Sequence, residues 1–545
     1  MYAIAAVFII GYLSAAANHP LLEPDEGRYA EIPREMIESG DYVTPRLNYV
    51  KYFEKPVMLY WMNAASYKIF GENEFASRLP TALCALLGIA AAGALGAYMY
   101  GRAAGVLSAL VTGTSLLYFA IGTIDLTDMP VSFFMTACMA AFYAGANTGD
   151  RRWYVVFYAA MAMALLTKGL IGIILPGGVA FWYIAATRKW RVIREALYLP
   201  GIVVFFAVSV PWFYLVCREN PDFFRFFFIQ EHFLRYTTRM HNRYEPVWFF
   251  LPLIPAGIMP WTGFLPSLLG RDGVLRSPGS RERRDANIFL LLWFGIILSF
   301  FSLSSSKLIP YIIPCVPPLA ILIAANISRM KEGNRFFGGA LEWTAGISVV
   351  ITAALLIFAA ATDYVDTSEA MLAALPSLAG LMTGAVFMPV VWKRTRDTGR
   401  AVAAFACGAL VFVMGLQAVY IPIGKDRSAR DVSYYASALK RPEEKIAVYG
   451  EILQGVPFYT KQRVVLVSSL GELEYGAGCE SEKDRTGWFP EKYEFLQRWY
   501  GGEPFALIIN KDSLPRLFGS SSEKARGMTV GDYVIMFNRN KRGEP

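Results

Sequence analysis

Residues 22–56 read LEPDEGRYAEIPREMIESGDYVTPRLNYVKYFEKP, and they follow directly on the apolar stretch 4–17. A run this polar and acidic beside a membrane-length apolar segment carries a solvation cost unless its charges are used. It holds the adjacent acids Asp25 and Glu26, then Arg28, and near its end Glu54 and Lys55. Pro24 suits the first turn of a helix. Residues 25–39 place Ile32, Met36 and Tyr29 toward one helical face. The spacing predicts an amphipathic helix over 25–39 lying on the membrane surface, with its acids at the positive end of the helix dipole.

Outward from this stretch the chain is apolar. Of 545 residues 55% are hydrophobic and only 18% are charged, against roughly 25% charge in a soluble globular chain. Apolar runs recur along most of the length and give about thirteen membrane spans, as expected of a polytopic all-α membrane protein. They are expected over 2–19, 78–99, 103–121, 129–147, 153–167, 169–186, 198–216, 246–269, 286–302, 308–327, 342–361, 371–392 and 399–421. The first is read as a retained signal anchor, because no basic segment precedes it.

The loops between these spans sort by charge. Arg102, Arg151 and Arg152, Arg188 to Arg194, the loop 271–285, the loop 329–335 and the loop 393–400 are basic and fall on one side, which the positive-inside rule makes cytoplasmic. The other side receives 20–77, 125–128, 167–169, 218–245, 304–307 and the acidic 362–369. The net charge of +8 is thus spent on topology rather than on nucleic acid. Six cysteines show no CxxC or Cys/His spacing that would indicate disulfides or zinc.

Past residue 423 the composition changes. Residues 445–450, 463–467, 505–510 and 533–538 read as strands, with helices over 429–439 and 490–499. The expected division is a membrane domain over 1–423, its first outer loop 20–77 carrying amphipathic helices, and a small α/β domain over 424–545. No phosphate-binding glycine loop occurs in the latter.

Several polar residues fall on the outer side. Asp128 sits in IGTIDLTDMP at the mouth of a span, with Asp125 as its neighbour and competitor. Two carboxylates, Asp25 and Asp128, on one face could orient an acceptor, bind a metal or act as a general base. Lys168 (LLTKGL) and Lys307 (SSSKLIP) each interrupt apolar sequence, where a charge is expensive. With Arg28, Lys55 and Arg243 they suit a phosphate. His241 and Glu54 are the candidate ligands should the chemistry use a divalent metal; no cofactor is otherwise implied.

EPDEGRYAEIPREMIESGDYVTPRLNYVKYFEKPVMLYW closely resembles the first outer loop of the ArnT branch of the protein-mannosyltransferase superfamily. The resemblance continues through ASRLPTAL, IGTIDLTDMP, LLTKGL, EHFLRY, EPVWFFLP and KLIPYIIP. It implies a GT-C membrane fold in the bacterial inner membrane; the tail beyond Gly424 is similar to the family in position and size, and the odd number of spans sends this α/β domain to the outer, periplasmic side. It implies an inverting glycosyltransferase that takes a sugar, 4-amino-4-deoxy-L-arabinose in the best-known members, from undecaprenyl phosphate to lipid A phosphate. Carried over by position, Asp25 and Asp128 match catalytic aspartates, Lys55 the lysine on the carrier phosphate, and Glu54 its acidic neighbour. Arg28, Arg243, Tyr311 and Lys307 are expected at the donor, with Glu26 and Lys168 in support. This chain has Gly27 where arabinose transferases of the family tend to carry Thr. The alternatives are transfer from a polyprenyl-phosphate sugar to protein Ser/Thr or a surface glycan, and, more remotely, a transporter or flippase.

Overall fold

In the computed structural model residues Asp25–Ser39 form a helix, but not an exposed one: every residue from Glu26 to Met36 is buried. The helix is enclosed by protein rather than laid on a membrane surface, because its polar face finds ionic partners and its apolar face a core. The structure describes residues 2–234, 245–270, 273–276, 279–330, 367–519 and 527–539, with positions 343, 344, 346, 347, 349, 350 and 353.

The chain divides into two compact units. One holds Met1–Asn18, Glu54–Leu59 and Arg78–Pro422; the other holds His19–Phe53, Tyr60–Ser77 and Ile423–Pro545.

The first unit is helical. Among the described residues seven helices are long and apolar enough to cross a membrane, or eight if the bent pair Arg102–Gly113 and Leu116–Gly122 forms one span. Three shorter apolar helices, Ile4–Ala17, Trp153–Lys168 and Ile171–Thr187, lie where spans are expected. The stretch expected as one span over 246–269 is not a single helix. It breaks into Phe250–Gly257, a 3-10 turn Trp261–Phe264 and Leu265–Leu268. Pro255, Pro260 and Pro266 remove backbone donors there. The break is tied to the bend of the 102–122 pair by one backbone and one side-chain bond. Leu116 N donates to the Met259 carbonyl at 2.8 Å, and Trp261 Nε1 to Thr114 Oγ1 at 2.8 Å. Each break thus satisfies the other, as buried backbone requires. The span expected over 342–361 lies largely outside the described residues. The fully buried Arg78 donates to the Ala16 carbonyl at 3.2 Å, satisfying the end of the first helix.

The second unit contains a two-stranded hairpin, β1 (Arg46–Leu47) with β2 (Val50–Lys51), and a five-stranded sheet. The sheet strands are β3 (Lys445–Tyr449), β4 (Val465–Val467), β5 (Phe505–Asn510), β6 (Met528–Val530) and β7 (Tyr533–Phe537), in the order β4-β3-β5-β7-β6. β3 runs parallel to β4 and β5, and β7 antiparallel to β5 and β6. β5, FALIIN, is buried along nearly all its length, which explains its unbroken apolar run. The short edge strand β6 and the hairpin carry no alternating pattern, and the sequence reading does not anticipate them.

The hairpin turn uses Asn48 and Tyr49, both at positive φ (53° and 65°), as a two-residue turn of this kind demands. The Asn48 side chain then behaves as a strand: it accepts from Val464 N at 2.8 Å and donates to the Val464 carbonyl at 2.9 Å. On the buried helix, Gly27 meets the turn into the helix Gly455–Thr460. A Cβ on Gly27 would stand 2.4 Å from Gly455 N and 2.8 Å from the Gln454 carbonyl carbon. The Glu23 carboxylate accepts from Gln454 N at 2.8 Å and Gly455 N at 2.7 Å, closing the same turn. Gly27→Ala is therefore expected to cost about 1–3 kcal/mol, the usual penalty of overpacking. Thermal unfolding in detergent checks this, and an unshifted melting temperature refutes it.

Farther along the helix, Arg34 donates to both Glu31 oxygens at 2.7 and 2.6 Å, while Glu35 accepts from Tyr49 N at 2.9 Å. Burial, reinforced by the Glu31 charge, pushes the Glu35 carboxyl well above its usual range. Folded Glu35 thus keeps a proton that the unfolded chain loses near pH ~4.3. Its contribution to stability is complete below that pH and is lost as the pH rises through the folded value. Glu35→Gln is expected to flatten this decline with rising pH; melting temperatures against pH that keep the wild-type slope would contradict it.

Candidate active site

The residues singled out in the sequence fall in two groups, one in each unit. In the α/β-containing unit, Asp25 opens its helix and is half exposed, its side chain at 51%. Arg28, one turn on, is buried and pairs with Asp25 and with Glu472. The Tyr52 hydroxyl accepts from Arg28 at 3.1 Å. The adjacent acids separate in role: Glu26 is buried and turns back, accepting from Leu22 N at 2.9 Å, which ties the chain entering the helix to its first turn. Asp25 is left as the open carboxylate.

In the membrane-helical unit, Asp128 begins the helix Asp128–Thr148 and Lys168 ends the helix Trp153–Lys168. Each charge complements the dipole of its own helix. The two side chains form an ion pair, and the Lys168 ammonium lies 4.6 Å from the centre of the Tyr311 ring. Tyr311 is presented by the 3-10 turn Ile309–Cys315 and packs against Phe301 at 5.3 Å. Three residues read separately from the sequence are thus one cluster. Asp128 is the acid of this ion pair, and Asp125 is fully buried.

Lys55 and Glu54 precede the helix Met58–Phe70. Glu54 is buried, and the Lys55 ammonium donates to the Glu54 carbonyl at 3.0 Å. Lys307 is buried, and donates to the carbonyls of Glu245 at 2.7 Å and Ser304 at 2.6 Å. Burial lowers its pKa, with the Glu245 charge opposing. Arg243 and His241 lie outside the described residues. Among the described residues no group of three or more His, Cys, Asp or Glu side chains could hold a metal ion. Sequence reasoning missed Tyr52 and Glu472. Tyr52 lies within the stretch 22–56 and could have been found; Glu472 has no local signature.

The cations in both groups stand beside carboxylates, and buried or half-buried pairs of this kind suit a site that receives a charged substrate. A family model described as dolichyl-phosphate-mannose-protein mannosyltransferase matches residues 54–215, and one described as aminoarabinose transferase C-terminal domain matches 435–522. The undecaprenyl phosphate-α-4-amino-4-deoxy-L-arabinose arabinosyl transferase of Photorhabdus laumondii is 33% identical over 340 residues, 61% of this chain. The chain spans 60% of the length of the first curated relatives it matches. The enzyme of the same name from Aeromonas salmonicida is 30% identical over 502 residues, 89% of each chain. The crystal structure of ArnT from Cupriavidus metallidurans bound to undecaprenyl phosphate matches with a TM-score of 0.84 and 31% identity, over 99% of this chain and 98% of that one. With likeness of this extent in both sequence and fold, the chain belongs to the ArnT family of membrane glycosyltransferases, of GT-C architecture.

Proposed function

We propose that this chain transfers a sugar, with 4-amino-4-deoxy-L-arabinose as first choice, from undecaprenyl phosphate to a lipid A phosphate, with inversion. The reaction takes place on the periplasmic face of the bacterial inner membrane, with residues 1–423 as the membrane catalytic domain and 424–545 on the periplasmic side. The observation that carries this reading is the near-complete match to an ArnT bound to undecaprenyl phosphate.

The polyprenyl chain stays in the bilayer and its sugar-phosphate head meets the protein. The acceptor oxygen bonds to the anomeric carbon as the bond from that carbon to the phosphate oxygen breaks, and the electron pair leaves on undecaprenyl phosphate. Lys55 and Arg28 stabilise this developing charge, the electrostatic contribution that dominates such steps. Lys168, fixed between Asp128 and the Tyr311 ring, offers a further cation. A phosphate acceptor arrives ionised, so Asp25 and Asp128 need not remove a proton. They orient the acceptor and stabilise positive charge on the sugar.

The match of residues 54–215 to a protein-mannosyltransferase model favours a second reading, transfer to protein Ser/Thr or a surface glycan. There the acceptor is a hydroxyl, and one carboxylate takes its proton as general base.

Asp25→Asn and Lys55→Ala are each expected to slow transfer by ~10²-fold or more. Purified chain in liposomes with undecaprenyl-phosphate sugar, given either lipid A or acceptor peptides and followed by mass spectrometry, measures this and separates the two acceptors. Near-normal transfer by either variant would remove that residue from the machinery, and product on peptide alone would favour the second reading.

A further inference from the structure

Arg28 takes partners from both ends of the chain. Its guanidinium pairs with Asp25 in its own helix and with Glu472, in the 3-10 turn Gly471–Leu473. The Tyr52 hydroxyl accepts from Arg28 at 3.1 Å and donates to Glu472 at 3.2 Å, so phenol and carboxylate bracket the guanidinium together. The rings of Tyr29 and Tyr52 have their centres 5.1 and 5.9 Å away. Side-chain exposure is 6% at Arg28, 27% at Glu472 and 51% at Asp25. Asp25 is the open end of this triad and Glu472 the anchored one.

The anchor is itself held by backbone packing on both sides in sequence. Before it, the Glu23 carboxylate closes the turn at Gln454 and Gly455, and Asn48 pairs with Val464. After it, Tyr475 packs at a tilt against Phe53 with ring centres 5.8 Å apart, and Gly476 lies so close to Lys51 that a Cβ would stand 2.3 Å from the Lys51 carbonyl oxygen. Glu472 therefore reaches Arg28 from a fixed place.

We propose that Glu472 is a positioning residue for the transfer. It anchors Arg28 so that, when a donor phosphate takes over the hydrogen bonds that Asp25 now accepts, the guanidinium stays in place and Asp25 is released toward the acceptor. Only hydrogen bonds change hands; Arg28 keeps its proton throughout. An arginine deprived of both carboxylates would have to be ordered by the phosphate alone, at a cost in side-chain entropy. This role rests on the transferase reading above, in which Arg28 meets the carrier phosphate.

The test is a double-mutant cycle between Glu472→Ala and Arg28→Ala in the full chain, read as affinity for undecaprenyl phosphate, a probe that needs neither sugar nor acceptor. Glu472→Ala is expected to weaken binding about tenfold, as loss of a hydrogen bond to a charged group does. In the Arg28→Ala background it should change affinity by less than about twofold. Wild-type affinity in Glu472→Ala overturns the role, as does an equal loss with and without Arg28. Tighter binding overturns it too, since it would mean that Glu472 acts only as a competing charge. If Glu472→Ala fails to fold, Glu472→Gln enters the cycle under the same criteria with a smaller expected loss. A wild-type chain that binds no undecaprenyl phosphate overturns the transferase reading and this role with it. Wild-type binding with an indifferent Glu472 overturns this role alone.

Discussion

A buried guanidinium cannot shed its charge, so wherever one is placed the surrounding chain must bring anions to it. Arg28 imposes this constraint on the α/β-containing unit. One carboxylate, Asp25, comes from the same helix; the other, Glu472, comes from the far end of the sequence. To bring Glu472 there, the first loop and the tail must fold together, and they do so through backbone-level contacts at Glu23, Gly27, Asn48 and Lys51. The helix Asp25–Ser39 can bury nearly its whole circumference because its other charges are also answered internally, Arg34 by Glu31 and Glu38.

The membrane-helical unit solves the same problem differently. Asp128 and Lys168 sit at opposite kinds of helix terminus, where the backbone already favours each charge. Pairing them completes the neutralisation, and the Tyr311 ring covers the ammonium. An ion pair at helix ends keeps charge out of the apolar middle of the helices.

Much of this was legible in the sequence because it is local. The bounds of the helix 25–39, the strands β3, β5 and β7, and the candidacy of Asp128 and Lys168 all follow from short-range pattern. The burial of that helix was not legible, since its polar face looks solvated until its distant partners are known. Nor was the break within 246–269. A run of apolar residues reads as one span, and the bonds that satisfy the interruption, between Met259 and Leu116 and between Trp261 and Thr114, come from a distant part of the chain. Glu472 was invisible for the same reason: a single acid in a short turn acquires meaning only from Arg28.

Gly27 now reads differently as well. Its position in the motif suggests a part in choosing the sugar, yet its missing side chain makes room for the backbone at Gln454 and Gly455. The residue is a gauge of how near the tail's turn may come to the first-loop helix. A larger residue at this place would press on that turn, so a substitution at 27 calls for a shift of the backbone at 454 and 455. The motif letter that looks most like a specificity mark is a measure of spacing between two stretches of backbone.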